Sequence, residues 1–274
     1  MRLTINPSAS TAARTYTTAA ARVDDSVARM ASGSRINSAT DDAAGLVVSN
    51  RLRAQVSGLR QAMRNTQEGI SITQIVDNAL GQLADNLQRL RDLTVQAANT
   101  AVNDIAARTG IQSEMDGVIA AGQQVIAQAK YGSQPLFEGY VSSFVDFHVG
   151  SGATSNDRVV WQVTPMAWEA LWSPAVNSPS FDPEVTTMAL DNMHQALWKR
   201  QFETGALRNQ FEHILATLTT AADNLSWAES QLRDVDMATE MTALTTNQIV
   251  RDASSSMLAQ TGRIHENLLG LLQT

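Results

Sequence analysis

The sequence predicts a mainly α protein: a long antiparallel helical coiled coil or bundle, with a small β-hairpin region in the middle of the chain and with the N- and C-terminal helices paired. Three observations predict it. Apolar residues recur at 4-3 spacing towards both ends of the 274-residue chain, the seam pattern of packed helices. Five of the six prolines lie between 135 and 183, so the strongest helix breakers are confined to the middle. Aromatic residues make up only 5 % of the chain while Ala, Gln, Thr, Ser and Asn abound, which suits long helices with narrow seams better than a compact core of large side chains.

The first helix is read over residues 8–31, where Ala9, Ala13, Tyr16, Ala20, Val23, Val27 and Met30 keep the 4-3 rhythm. Its seam is rich in alanine, so the helix is expected to be marginal alone. Ser32, Gly33 and Ser34 break the period. "Ser38-Ala-Thr-Asp41" fits a capping box, with Asp41 and Asp42 in the first turn of the next helix, where the dipole favours negative charge. That helix is expected from about 42 to 100. Leu52, Val56, Leu59, Met63, Thr66, Ile70 and Thr73 carry its seam, and after a small phase slip Val76, Leu80, Leu83, Leu87, Leu90 and Thr94 resume it. At 1.5 Å per residue it measures roughly 85 Å. A third helix, about 104–129, carries Ile105, Ile111, Met115, Val118 and Ile126 and should fold back on the second.

From about 131 the texture changes. "YGSQPLFEG" reads as a turn-rich loop. "VSSFVDFHVGSGATSNDRVVWQV" alternates apolar and polar residues around "GSG", the pattern of a β-hairpin. "TPMAWEALWSPAVNSPSFDPEV" is an irregular excursion rich in proline and tryptophan. Helix resumes over about 184–235 with Leu207, Phe211, Ile214, Leu218, Ala221, Leu225, Ala228, Leu232 and Val235 again at 4-3 spacing. In the last segment Val250, Met257, Ile264 and Leu271 stand seven apart, and Leu268 and Leu272 widen the stripe. Both termini are thus amphipathic helices able to pair with each other.

Composition argues against several functions. The net charge of −7 speaks against nucleic-acid binding, which needs a basic patch. The absence of cysteine removes disulfides and thiolate metal ligands. No run of 18 apolar residues suggests a membrane span, and "MRLTINPSASTAARTY" lacks an apolar stretch of signal-peptide length. That points to a cytosolic protein, or to one leaving the cell without a cleaved signal. His148, His194, His213 and His265 are scattered. "His265-Glu266-Asn-Leu-Leu" begins like a zinc-protease motif but lacks the second histidine. Gly150-x-Gly152 falls inside the expected hairpin turn and not at a strand-to-helix turn, so it is no phosphate cradle. Asp41 and Asp42, adjacent on a helix, point about 100° apart and are better capping groups than an acid–base pair. With no nucleophile set beside a base and no cofactor motif, the chain reads as a non-enzyme with no cofactor and no metal.

"SGSRINSATDDAAGLVVSNRLRAQ" resembles the N-terminal signature of bacterial flagellin. The resemblance continues in "QRLRDLTVQAAN" (88–99) and "IQSEMDGVI" (111–119), and returns in "AESQLRDVDMATEM" (228–241) and "SSSMLAQTGRIHENLLGLLQT" (254–274). Together the blocks cover roughly residues 1–140 and 186–274. The resemblance implies a discontinuous inner, channel-lining coiled-coil domain (1–31 and 236–274), a joint or spoke (32–41) containing Ser38 and Asp41 with Asp42 beside it, and an outer rod domain (42–235). It implies a secreted, extracellular protein that leaves unfolded through the flagellar export channel and polymerises into the motility filament. Self-assembly would then rest on the terminal helices, through Ala13, Tyr16, Val23, Val27, Met30, Val250, Met257, Ile264, Leu268 and Leu271. The implied partners are further copies of the chain, a secretion chaperone at the C-terminal helix, the filament cap and the hook-junction proteins. A vertebrate Toll-like receptor for flagellin would contact positions matching Arg89, Leu93 and Glu114, where Asp92 replaces the usual glutamate. A hook–filament junction protein is the alternative within the family, and a coiled-coil signalling module the alternative outside it.

The chain departs from the family in two ways. Its middle is short, which implies that large outer surface domains are missing. Trp161, Trp168 and Trp172 are unusual in a loop-rich excursion. At least two of them are expected to pack on the rod, with Pro165, Pro174 and Pro179 fixing the loop; the alternative is an apolar contact between subunits.

Overall fold

The computed structural model describes residues 7–137, 144–152, 154–162, 168, 176–178 and 181–272, without the side chains of residues 144 and 264–272. Five α-helices carry the described chain: α1 (Pro7–Ser32), α2 (Ala43–Ala98), α3 (Ile105–Gln128), α4 (Pro183–Arg233) and α5 (Met237–Leu272). Two two-stranded antiparallel sheets lie between α3 and α4: β1 (Lys130–Tyr131) with β2 (Gln134–Pro135), and β3 (Phe144–His148) with β4 (Arg158–Gln162). The fold is therefore mainly α with a small β region, as the periodicity and the proline distribution predict. By contacts the chain divides into two compact units, Met1–Val56 with Asp223–Thr274, and Ser57–Ala222.

The central unit is built on the α2 seam. Val76, Leu80, Leu83, Leu87, Leu90 and Leu93 are all buried. Thr66, Thr73 and Thr94 sit in the same seam at no exposure. Each hydroxyl donates to a carbonyl of the preceding turn (Ala62, Ile70 and Leu90, all at 2.8 Å), so none of the three is left unpaired. α3 and α4 both run antiparallel to α2. Arg89 Nε donates to Glu114 at 3.0 Å, and Arg91 pairs with Asp191 at 3.2 Å. Ile111, Met115 and Ile126 of α3 face the core, but Ile105 is 70 % exposed. It stands in the first turn, where the chain has only just left the corner that joins α2 to α3.

The β region closes the other side of this core. Lys130↔Pro135 and Tyr131↔Gln134 pair across a tight turn at Gly132, whose φ is +59°. The segment expected as a plain loop is thus a short hairpin that delivers Leu136 and Phe137 into the core. In the longer hairpin Phe147↔Val159 and Val145↔Trp161 are partners. Phe147 meets Phe211 of α4 edge-on, with centroids 5.1 Å apart.

The connection between β3 and β4 is longer than a tight turn. Asp157 organises it by accepting from Thr154 N (3.0 Å) and Thr154 Oγ1 (2.6 Å). These bonds hold its carboxyl below the usual carboxylate range. A Cβ at Gly150 would lie 1.9 Å from Asp157 Oδ1, so the protein's own carboxylate fills the space beside the Gly-x-Gly.

Trp168 is 1 % exposed. Its indole N–H donates to Ile119 O at 2.9 Å, against Gly122 of α3, where a Cβ would lie 2.1 Å from the ring. Trp161 is half-buried against the core. Trp172, Pro165, Pro174 and Pro179 lie outside the described residues. Nearby, Val176 N donates to Gln112 Oε1 (2.7 Å), and Arg108 donates to Ser178 O (3.1 Å) while stacking over Phe181.

Candidate assembly surface

The terminal unit pairs α1 with α5 and includes the polar stretch that follows α1. α1 ends at Gly33, whose φ of +68° supplies the left-handed turn that non-glycine residues resist. The chain then crosses the α4–α5 connection as a minimal antiparallel bridge, Ser34↔Asp234. Val235 N donates to Gly33 O (3.1 Å), Arg35 N to Arg233 O (2.6 Å) and Arg35 Nη2 to Leu232 O (2.8 Å). Ile36, at 3 % exposure, anchors the strand. Val235 lies in this crossing and not in α4, which ends at Arg233.

The capping chemistry differs from the expected box. Asp41 folds back and accepts from Asn37 N (3.1 Å), Ser38 N (2.9 Å) and Ser38 Oγ (3.1 Å). Its carboxyl is held low by the Ser38 and Asn37 amides first, with a smaller contribution from Arg29. Residues 38–41 therefore form a closed turn outside the helix, and α2 begins at Ala43. Asp42 provides the cap by accepting from Gly45 N at 2.8 Å. Ser38 thus caps the turn and not the helix, because the chain spends one more loop before α2 starts. Asp236 caps α5 in the same way, through Thr239 Oγ1 (2.7 Å) and Ala238 N (3.0 Å), and its carboxyl is lowered as a result.

The helix faces in the terminal unit follow the expected seam only in part. The buried residues of α1 are Ala19, Val23 and Ser26, and Ser254 is buried on α5. Of the expected seam Val23 is buried, while Ala13 and Met30 are half-buried. Tyr16 (38 %) and Val27 (49 %) point outward, as do Val250 (39 %) and Met257 (60 %). Ile264, Leu268 and Leu271 belong to α5, but their side chains lie outside the described residues. Small residues such as Ala19, Ser26 and Ser254 are buried here together with Val23, while Tyr16, Val27, Ile249, Val250 and Met257 are left exposed. Sequence reasoning also missed Trp227, Met237, Met241 and Ile249, all exposed in the same unit.

The positions matched to the receptor differ in exposure. Arg89 and Glu114 are exposed and paired with each other. Leu93 is fully buried within the chain's own core, so its side chain offers no surface to a partner. α2 packs against both α3 and α4, and its buried arc is wide enough to take in Leu93 although Arg89 is one turn away.

Taken together, the fold is that of a helical subunit whose paired termini present apolar side chains to water. Comparison with known proteins places it more closely. The description "Bacterial flagellin N-terminal helical region" matches residues 4–142, and "Bacterial flagellin C-terminal helical region" matches residues 187–272. The chain belongs to the bacterial flagellin family. It is 34 % identical over 284 residues to the flagellar filament 33 kDa core protein of Treponema phagedenis, covering 98 % of each chain. It is 34 % identical over 248 residues to the flagellin of Halalkalibacterium halodurans, covering 89 % of this chain and 90 % of that one. Among solved structures, a putative flagellar hook-associated protein from Vibrio parahaemolyticus aligns with a TM-score of 0.59 over 71 % of this chain and 100 % of that one. At 16 % identity that likeness concerns the fold alone.

Proposed function

We propose that the chain is a structural subunit that polymerises into the bacterial flagellar filament. The observation that carries this reading is the set of large apolar side chains that the terminal unit leaves exposed. Tyr16, Val27, Trp227, Met237, Met241, Ile249, Val250 and Met257 are exposed in a single chain while Ser26 and Ser254 are buried. So many exposed large apolar side chains in one unit mark an interaction surface, and a polymer of copies supplies partners for them. In this reading residues 1–31 and 236–274 form the inner layer, 32–41 the joint, and 42–235 the outer layer. The Ser34↔Asp234 bridge and the Asp41 turn pair backbone groups along this joint.

Export in an unfolded state, a chaperone on the C-terminal helix, and contacts with the cap and hook-junction proteins follow from the family and are proposed on that basis. Recognition by the vertebrate receptor is proposed through Arg89 and Glu114 without Leu93. The role is structural and extracellular, and no catalytic step is assigned. Electron microscopy of the purified, concentrated chain tests the reading. Unbranched filaments of uniform diameter are expected, and protein that stays monomeric or forms only amorphous aggregate at all concentrations overturns it.

A further inference from the structure

A groove of ≈ 660 Å³ runs between β4 and α4 of the central unit, a size typical of small-molecule sites. Leu207 is buried and Trp161 half-buried at its base, while Val160 (55 %) and Phe202 (77 %) stand exposed along it. Polar residues share the wall. Gln162 of β4 and Gln210 of α4 are exposed there, and each amide can both donate and accept. The charged residues beside them are engaged with one another: Lys199 pairs with Glu203 at 3.9 Å, and Glu203 also attracts Arg200. Trp198, 59 % exposed, stands one turn before Phe202 and so shares its helix face. The Trp198 ring meets that of the buried His194, with centroids 5.4 Å apart, which holds one end of this aromatic strip.

We propose that this groove binds a neutral oligosaccharide. A wholly apolar ligand would strip water from Gln162, Gln210 and the Lys199–Glu203 pair and give nothing back. A strongly charged ligand would find its countercharges already taken. A sugar satisfies both halves of the wall. One face of a pyranose ring carries C–H groups, whose slight positive charge suits the negative face of an aromatic ring. Its hydroxyls donate to and accept from the amides of Gln162 and Gln210. The groove is long enough for several rings: Ala196 and Gln210 both line it, ~21 Å apart along α4 at 1.5 Å per residue. Binding needs one chain and does not depend on the polymer reading.

The tryptophans make the test clean, since Trp161 and Trp198 report on the groove, Trp168 on the core and the exposed Trp227 on the terminal unit. Indole N–H resonances of the monomeric chain are followed by NMR while cellohexaose or maltohexaose, neutral glucose oligomers of opposite linkage, is added. Saturable shifts of Trp161 and Trp198 are expected with at least one sugar, while Trp168 and Trp227 stay unmoved. The affinity should not change with added NaCl, because no charge is neutralised; a steep loss with salt contradicts a neutral ligand. Phe202→Ala, a change at an exposed side chain, is expected to weaken binding ~10-fold, and an unmoved Trp168 resonance checks its fold. No shift with either sugar overturns the proposal, and so does an unchanged affinity in Phe202→Ala. Equal shifts at Trp227 overturn it too, because they show contact with any exposed indole. Shifts produced by a five-residue peptide of alternating valine and glutamine, but by neither sugar, overturn it and assign the groove to an extended segment of another protein.

Discussion

Trp168 stands in the least regular part of the sequence, yet it is among the most buried side chains of the molecule. Trp168→Ala is expected to cost about 3–5 kcal/mol, the range for removing a buried aromatic. Gly122→Ala, which drives a Cβ into the same ring, should lose about 1–3 kcal/mol to overpacking despite the better helix propensity of alanine. Chemical denaturation of each variant measures both effects. Packing of this tryptophan was legible from its size, but its partner was not, since nothing in the sequence marks Gly122 among the helical glycines. Leu93 carries a similar lesson. Spacing placed it one turn from Arg89 but did not show how wide the buried arc of α2 is. Leu93→Ala should therefore destabilise the chain by about 2–5 kcal/mol. Arg89→Ala should leave stability nearly unchanged, as the loss of a surface ion pair does, and should lower activation of receptor-bearing cells. Equal activation by Arg89→Ala refutes the receptor assignment. At the joint, the Asp41 carboxyl is lowered from its ordinary value of 3.8. A depressed native value means that the turn is fully stabilised above that ordinary value and loses the stabilisation as pH falls through the native one. A carboxyl-carbon NMR titration should show Asp41 titrating below an unfolded reference, with the Asn37 and Ser38 amide shifts following the same curve.

Helix extents were largely legible. The long seam from Val76 to Leu90 consists of large aliphatic residues whose period is unambiguous, and α2, α3 and α4 begin and end within a few residues of the positions read from sequence. The β3–β4 hairpin was legible for the same reason, because apolar–polar alternation on both sides of a glycine-rich turn has the period of a strand and not of a helix. The α1–α5 faces were not. In an alanine- and serine-rich helix the period is visible, but which stripe meets the partner depends on how closely the axes approach, and that favours Ala19, Ser26 and Ser254 over Val27 and Met257. The start of α2 was hard to place because Ser38, Asp41 and Asp42 are all competent caps, and only the closed turn decides among them. The terminal elements also carry a prediction. Deleting residues 264–274 removes the end of the C-terminal stripe, which belongs to the terminal unit. The truncated chain should keep the near-ultraviolet circular dichroism of its packed aromatics and fail to form sedimentable polymer. Normal filaments from it would show that this end is dispensable.

The whole molecule joins an ordinary core to an unfinished one. The central unit buries its leucines and satisfies its seam threonines as a stable domain does. The terminal unit, by contrast, buries Ala19, Ser26 and Ser254 while leaving Tyr16, Trp227, Met237, Met241 and Met257 exposed. That contrast is the physical basis for reading the chain as one subunit of a polymer, and the family membership gives it a biological setting. If it is correct, the exposed apolar side chains of the terminal unit are covered once copies assemble. Hydroxyl-radical footprinting of Met237 (47 % exposed), Met241 (47 %) and Met257 (60 %), read by mass spectrometry in monomer and in sedimented polymer, tests this most directly. The account predicts that all three oxidise readily in the monomer and are strongly protected in the polymer. Equal oxidation in both states would contradict it.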